Sequence, residues 1–204
     1  MTQLILIRHG HTLWTEQKKY QGHSDTKLSQ TGIQRIRELA KGFRRVKVDF
    51  LYAASLKRAV HSAQILAQGK LKLHLDSRIC EMNFGKWEGR SAEELLRSKD
   101  KAFLAWTRKQ NWPAPPGGES RAAFRRRVKT FFIECLRKHP GKTIAIVSHG
   151  GAIRLMILEA LQLPFKFFFS FRIDPASVTI VSAHLEKPGR LSILNSSRFL
   201  EKME

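Results

Sequence analysis

Two unbroken aliphatic runs, Leu4-Ile5-Leu6-Ile7 and Ile144-Ala145-Ile146-Val147, each lead through one polar residue into a histidine followed at once by glycine. A run of that length bounded by a breaker is the pattern of a strand covered on both faces, as in the parallel sheet of an α/β protein. His9 and His149 then stand at the carboxyl ends of strands. Open α/β sheets bind ligands at that edge, where the strand order reverses. Gly10 and Gly150 suit the sharp turn and close backbone approach such an edge requires. Arg8 adds a fixed cation with five donors beside His9. Two imidazoles and a guanidinium around one anion make a candidate phosphate site.

Between the two runs the sequence alternates helical and strand patterns. Residues 12–27 are polar and read as a loop, after which Ser29 is placed to cap a helix carrying Ile33, Ile36, Leu39, Ala40 and Phe43 on one face. Residues 49–53 read as a second strand, and a helix from Leu56 follows with Ala59, Val60, Ala63, Leu66 and Ala67. Arg58 falls in its first turn, where the side chain and the helix dipole act on the same anion. Residues 71–75 read as a short strand. Residues 91–112 read as one or two helices with Ser91 as cap, followed by a rigid Pro/Gly connection up to Ser120.

A long helix over residues 120–138 carries Phe124, Val128, Phe131, Phe132, Cys135 and Leu136 as its apolar stripe, leaving Arg125, Arg126, Arg127 and Lys129 for its surface. The segment after His149 continues as a helix through Leu161, so the Gly150 amide lies at a helix start. Leu163 to Phe171 is the most apolar stretch outside the sheet, suited to the core or, if exposed, to a homodimer surface. Residues 178–183 and 191–194, separated by Pro188-Gly189, read as a closing hairpin. This order predicts a three-layer α/β/α sandwich with a mostly parallel sheet, in a single domain over residues 1–204.

Charge sets the chain apart: 37 Lys plus Arg against 17 Asp plus Glu give a net +20 and a pI near 10.6. The cations are spread from Arg35 to Lys142 rather than gathered in one run, which reads first as a solvated surface and second as nonspecific attraction for polyanions. Cys80 and Cys135 are too few for a disulfide framework and lack metal-ligand spacing, so no metal is expected. No stretch approaches the roughly 18 apolar residues of a membrane span, and the first residues lack the pattern of a secretion signal. The expected compartment is the cytoplasm, with no membrane partner.

Five motifs in one order carry a resemblance. Arg8-His9-Gly10 is followed by Gln21-Gly22-x-x-Asp25-x-x-Leu28-Ser29-x-x-Gly32, then Tyr52-Ala53-Ala54-Ser55-Leu56-Lys57-Arg58-Ala59, then Glu81-Met82-Asn83-Phe84-Gly85-Lys86-Trp87-Glu88-Gly89, and finally the strand ending in His149. The chain thereby resembles the histidine phosphatase superfamily, in its phosphoglycerate mutase-like branch. With Pro116-Gly117-Gly118-Glu119-Ser120 added, it is most similar to members of the alpha-ribazole phosphatase type. The resemblance implies a phosphomonoester hydrolase working through a phosphohistidine on His9, with Glu81 as proton donor. Arg8, Arg58, His149 and Gln21 would hold the phosphate, and Glu88 would make structural hydrogen bonds. It implies no cofactor, and it implies a helical cap insertion over residues 90–118 that shapes the choice of a small phosphorylated metabolite, with alpha-ribazole 5'-phosphate a candidate.

The departures are specific. His11 stands where the family commonly has Glu, Ala53 and Ala54 replace serines, and Thr15 stands where an Asn often contacts phosphate. Thr15 and Gly150 are therefore further candidates for phosphate contacts. Two alternatives remain open at this level: phosphoryl transfer of the mutase type, and a noncatalytic basic protein that binds anions or nucleic acid. The short chain favours the hydrolase over the mutase.

Overall fold

The computed structural model describes residues 1–108 and 112–197. One sheet contains β1 (Thr2–Arg8), β2 (Phe50–Ala53), β3 (Leu73–Leu75), β4 (Thr143–Ser148), β5 (Val178–Ala183) and β6 (Leu191–Ser196) in the spatial order β3-β2-β4-β1-β5-β6. The pairings β1–β4, β4–β2 and β2–β3 are parallel, whereas β5 runs antiparallel to both β1 and β6. The mostly parallel sheet and the closing hairpin are as the sequence predicts. Residues 4–7 and 144–147 are at most 1% exposed, as expected of central strands covered on both faces.

Seven α-helices occur among the described residues: α1 (Leu13–Glu16), α2 (Gln30–Phe43), α3 (Lys57–Ala67), α4 (Ala92–Arg97), α5 (Lys101–Thr107), α6 (Arg121–Lys138) and α7 (Gly150–Leu161). The chain leaves β1 through α2 and α3 toward β3, then returns through α6 to β4 and crosses by α7 to β5. Right-handed crossovers in opposite directions lay helices on opposite faces. Accordingly α2 packs on α3, and α6 packs on α7. The reversal falls between β1 and β4, so the crevice lies at their carboxyl ends.

Local chemistry sets the helix starts. Ser29, Ser91, Asp100 and Ser120 each accept a backbone N–H of the third residue onward, and Ser91 completes a capping box with Glu94. Leu56 cannot cap α3, and Asp25 does so from a distance, its Oδ1 accepting the Lys57 N–H at 2.6 Å. The helices α4 and α5 close over a second, smaller core of Trp87, Leu95 and Phe103, against which Tyr20, Phe84 and Trp106 pack. Residues 109–111 and 198–204 lie outside the described residues.

Three expectations need correction. The loop over residues 12–27 contains the one-turn helix α1, because Thr12 and Thr15 form a reciprocal capping box. The apolar stretch 163–171 is not uniformly buried: it forms a 3₁₀ helix, Phe165–Ser170, whose three-residue period aligns Phe165, Phe168 and Phe171 and turns others outward. Phe168 is buried, while Phe169 is 50% exposed. Arg127 does not decorate the surface of α6, for reasons given below.

The start of α2 is wedged against the turn after β1. A Cβ added at Gly32 would lie 2.1 Å from the His11 carbonyl oxygen, and one at Gly10 would lie 2.7 Å from the Gly32 oxygen. The paired glycines let backbone meet backbone there. Gly32→Ala is expected to destabilise the fold by about 1–3 kcal/mol through overpacking, measured by urea denaturation, although alanine is the better helix former. A neutral or stabilising outcome would show that the turn is not clamped by α2.

Candidate active site

Parallel pairing of β1 and β4 sets Arg8 opposite Ser148, and the His9 N–H donates to the Ser148 carbonyl at 3.0 Å. The next residues on the two strands, His9 and His149, therefore emerge side by side. Their ring centroids are 5.0 Å apart in an edge-on arrangement, and both side chains are buried. They line a cavity of about 400 Å³ together with Arg8, Arg58, Gln21 and Glu81. The residues singled out in the sequence for an anion site thus border one space.

His9 Nδ1 lies 2.7 Å from the Gly10 carbonyl oxygen. A carbonyl only accepts, so Nδ1 carries the hydrogen and Nε2 keeps its lone pair. Burial, reinforced by Arg58 and Arg8, pushes His9 well below the ordinary imidazole range. The ring is neutral at pH 7, in the tautomer that leaves Nε2 nucleophilic. Burial, Arg58 and His9 likewise lower His149, whose two ring nitrogens are both buried without a hydrogen-bond partner.

Arg58 projects from the first turn of α3 and is fully buried. Its terminal nitrogens donate to the carbonyls of Ser24 and Gly22 at 2.8 and 2.7 Å. Arg8 donates to the Ile173 carbonyl at 2.7 Å, and burial, opposed by Glu81, lowers its pKa to about 10. Each arginine keeps a buried, unpartnered Nε. An unmet buried donor costs about 1–3 kcal/mol, so the cluster around this cavity is short of acceptors and rich in positive charge. Gln21 presents a donor to the same space. Thr12 Oγ1 accepts the Thr15 N–H and so donates to Gln21 Oε1, which also receives Thr26 Oγ1, leaving the amide nitrogen on the other side.

Thr15 borders the cavity, but its hydroxyl donates to the Thr12 carbonyl and accepts the Thr12 N–H, closing α1. Gly150 opens α7 with His149 as its N-cap, and a Cβ there would touch the Arg8 guanidinium at 3.6 Å. Ala53 and Ala54 are wholly buried, where a methyl group, unlike a serine hydroxyl, needs no hydrogen-bond partner. His11 is lowered mainly by burial and holds a buried, unpartnered Nδ1. Among the described residues, no three His, Cys, Asp or Glu side chains are grouped to hold a metal.

Glu81 faces the histidines across the cavity. Its carboxylate accepts the Met82 N–H at 3.0 Å and the Gly151 N–H at 2.9 Å. Any side chain at position 151 would strike it, since a Cβ there would lie 2.3 Å from Oε1. Arg127 clamps the same segment from behind, donating to the carbonyls of Arg78, Cys80 and Glu81 and pairing bidentately with Glu119. Sequence reasoning missed both residues. Glu119 precedes the Ser120 cap and Arg127 lies eight residues on, outside the three- and four-residue spacings that pair charges on a helix, so no local signal marked the pair. Glu88 accepts the N–H groups of His23, Ser24 and Phe84, fixing the loop that carries Gln21 and the Arg58 acceptors. Its structural role is as the sequence implies. Arg154, also unforeseen, lines the cavity and donates to the Phe171 carbonyl at 2.7 Å.

This geometry meets its counterparts in known proteins. The chain belongs to the histidine phosphatase superfamily, branch 1, whose model matches residues 4–195. It is 33% identical to phosphoserine phosphatase 1 of Hydrogenobacter thermophilus over 188 residues, covering 92% of this chain and 88% of that protein. The alpha-ribazole phosphatase of Shigella flexneri superposes with a TM-score of 0.87 at 30% identity, covering 96% of each chain. The phosphoserine phosphatase of Entamoeba histolytica, solved as a mutant with phosphoserine, gives 0.86 at 31% identity over 98% of this chain and all of that one.

Two measurements follow from the electrostatics. His9 and His149 have folded-state pKa values below the unfolded value of about 6.5, so the unfolded chain binds more protons once the pH falls past it. Their contribution to stability is complete above that pH and is lost below it. The melting temperature is expected to drop between pH 7.5 and 5.5, and inorganic phosphate, by binding only the folded cluster, is expected to reduce the drop; a flat profile would contradict the assignment. Arg127→Ala should cost more than about 2 kcal/mol, because three backbone carbonyls and the Glu119 carboxylate lose their charged donor at once, as read by chemical denaturation.

Proposed function

We propose that this chain is a phosphomonoester hydrolase that passes the phosphoryl group through Nε2 of His9 to water, acting on a small phosphorylated metabolite in the cytoplasm. The observation that carries the reading is the His9 ring, neutral, tautomerically locked by Gly10, and placed 5.0 Å from a second buried imidazole between two arginines. Attack at phosphorus asks little covalent chemistry of the protein beyond a positioned nucleophile and charge neutralisation on the equatorial oxygens.

In the first step the Nε2 lone pair of His9 forms the N–P bond as the P–O bond to the leaving group breaks. Glu81 gives its proton to the departing oxygen. Arg8, Arg58, the Gln21 amide, the Gly150 amide and His149 hold the phosphoryl oxygens, and the dianion supplies the countercharge that lets His149 take up a proton. In the second step water attacks phosphorus, the N–P bond breaks, and the proton of the water passes to Glu81. Thr15, whose hydroxyl closes the first turn of α1 onto Thr12, acts on this site by holding that turn at its border rather than by touching phosphate. Residues 90–118 serve as the cap over the cavity, inserted into a single domain of residues 1–204. The names of the relatives offer phosphoserine and alpha-ribazole phosphate as substrates to try first.

His9→Ala is expected to abolish hydrolysis of p-nitrophenyl phosphate and the trapping of an acid-labile phosphoryl label. Arg58→Ala should lower kcat about a hundred to a thousand fold, as for one preorganised contact to transition-state charge. Glu81→Gln should slow alkyl phosphates far more than p-nitrophenyl phosphate, since a good leaving group needs no proton. Equal slowing of both would remove Glu81 from the acid role, and transfer to an added alcohol in preference to water would favour the mutase.

A further inference from the structure

Beyond Glu81 the cavity continues into a side chamber of about 150 Å³. The two spaces share Tyr20, Glu81, Phe84, Gly151 and Arg154, so the chamber opens beside the carboxyl that faces the leaving oxygen. Its walls are two stacked aromatic pairs. Trp106 and Trp112 stack at 4.9 Å and 23°, and Phe165 and Phe168 stack at 5.0 Å and 16°. Trp112 meets both phenylalanines edge-on, at 88° and 85°, so the pairs form a right-angled corner. The 3₁₀ period that aligns Phe165 with Phe168 builds one wall, and Trp106 of α5 with Trp112 builds the other.

We infer that this chamber is a leaving-group subsite for one flat aromatic ring that is neutral or anionic. The inference rests on the hydrolase reading for the position of the phosphate, but the chamber's shape and lining are independent of it. An apolar cavity of about 150 Å³ accommodates a single benzene-sized ring. A corner of two perpendicular aromatic walls gives such a ring an offset face on one side and an edge on the other, the two arrangements that π-quadrupoles favour. Charge restricts the choice further. The Arg121 guanidinium lies 5.4 Å from the Trp112 ring and 5.1 Å from the Phe165 ring, and that of Arg154 lies 5.7 Å from Phe168. Glu81 is the one carboxylate among the described residues lining either space. Cationic aryl groups are therefore repelled, and the surfaces that remain can stack on a guanidinium as well as on a ring.

The test compares ligands that differ only beyond the phosphorus. Binding of 2-phenylethylphosphonate, 2-cyclohexylethylphosphonate and ethylphosphonate is measured by calorimetry, and turnover of the corresponding phosphates, whose alkoxide leaving groups are alike, is measured in parallel. The phenyl phosphonate is expected to bind at least about tenfold tighter than the ethyl one, with cyclohexyl in between, a gap typical of filling an apolar pocket. Trp112→Leu, and separately Phe169→Leu at the half-exposed ring that also lines the chamber 5.1 Å from Trp112, should shrink that ratio to within about threefold while leaving ethylphosphonate binding unchanged. Equal affinities for phenyl and ethyl, or a preference that survives Trp112→Leu in a folded variant, would overturn the subsite. Equal affinities for phenyl and cyclohexyl would overturn its selectivity for flat rings. Ring preference without turnover of any phosphate would sink the hydrolase and leave the subsite standing, whereas turnover without ring preference would do the reverse.

Discussion

The pairing of β1 with β4 is the constraint on which the rest depends. These strands lie side by side in space and 140 residues apart in sequence, and their register puts the residues after Arg8 and Ser148 at the same height. A shift of one residue would turn every side chain of one strand to the other face of the sheet. The full burial of Leu4 to Ile7 and Ile144 to Val147 on both faces forbids such a slip in practice, because the polar residues that flank each run would enter the core. The same hydrophobic interval that specifies the strands thus sets the distance between the two imidazoles.

Around that pair, the protein assembles two guanidinium cations whose field, with burial, keeps both imidazoles neutral. Arg8, Arg58 and two buried histidines border one cavity, and burial lowers the pKa of all four. Backbone carbonyls of Gly22, Ser24 and Ile173 hold the two arginines in place without neutralising them, and that of Gly10 orients the neutral His9 ring. A carbonyl orients a donor and leaves its charge, so the field remains available for an anion. Carboxylates do the structural work one layer out: Glu88 holds the loop, Asp25 starts α3, and Glu119 anchors Arg127. Had Glu88 or Glu119 faced the cavity directly, the cluster would be paired and the anion redundant.

The net charge of +20 adds a long-range version of the same field. It draws anions toward every face, but it is screened within about 10 Å at ordinary salt. Discrimination among phosphorylated ligands has to come from short-range contacts, and in the proposed subsite those are the aromatic walls and the guanidinium groups bordering Glu81. Attraction and selection are thereby assigned to different parts of the molecule.

Strand period, helix caps and the spacing of Arg8, His9, Arg58, Glu81 and His149 were legible in the linear chain, because hydrophobic periodicity and capping are local and each motif carries its own neighbours. The positions of Gly151 and Arg127 behind Glu81 were not, since both act on a segment 46 or more residues away through contacts that no local pattern encodes. Nor could the sequence tell that Leu163 to Phe171 would coil as a 3₁₀ helix with one face open: its composition fits burial, and its period of three becomes visible only when Trp112 is brought against it. The chain by itself determined which elements form and which groups could do chemistry. Tertiary structure alone decided what surrounds them, for the physical reason that the buried arginine contacts and the perpendicular aromatic walls join residues whose separation along the chain carries no periodic signal.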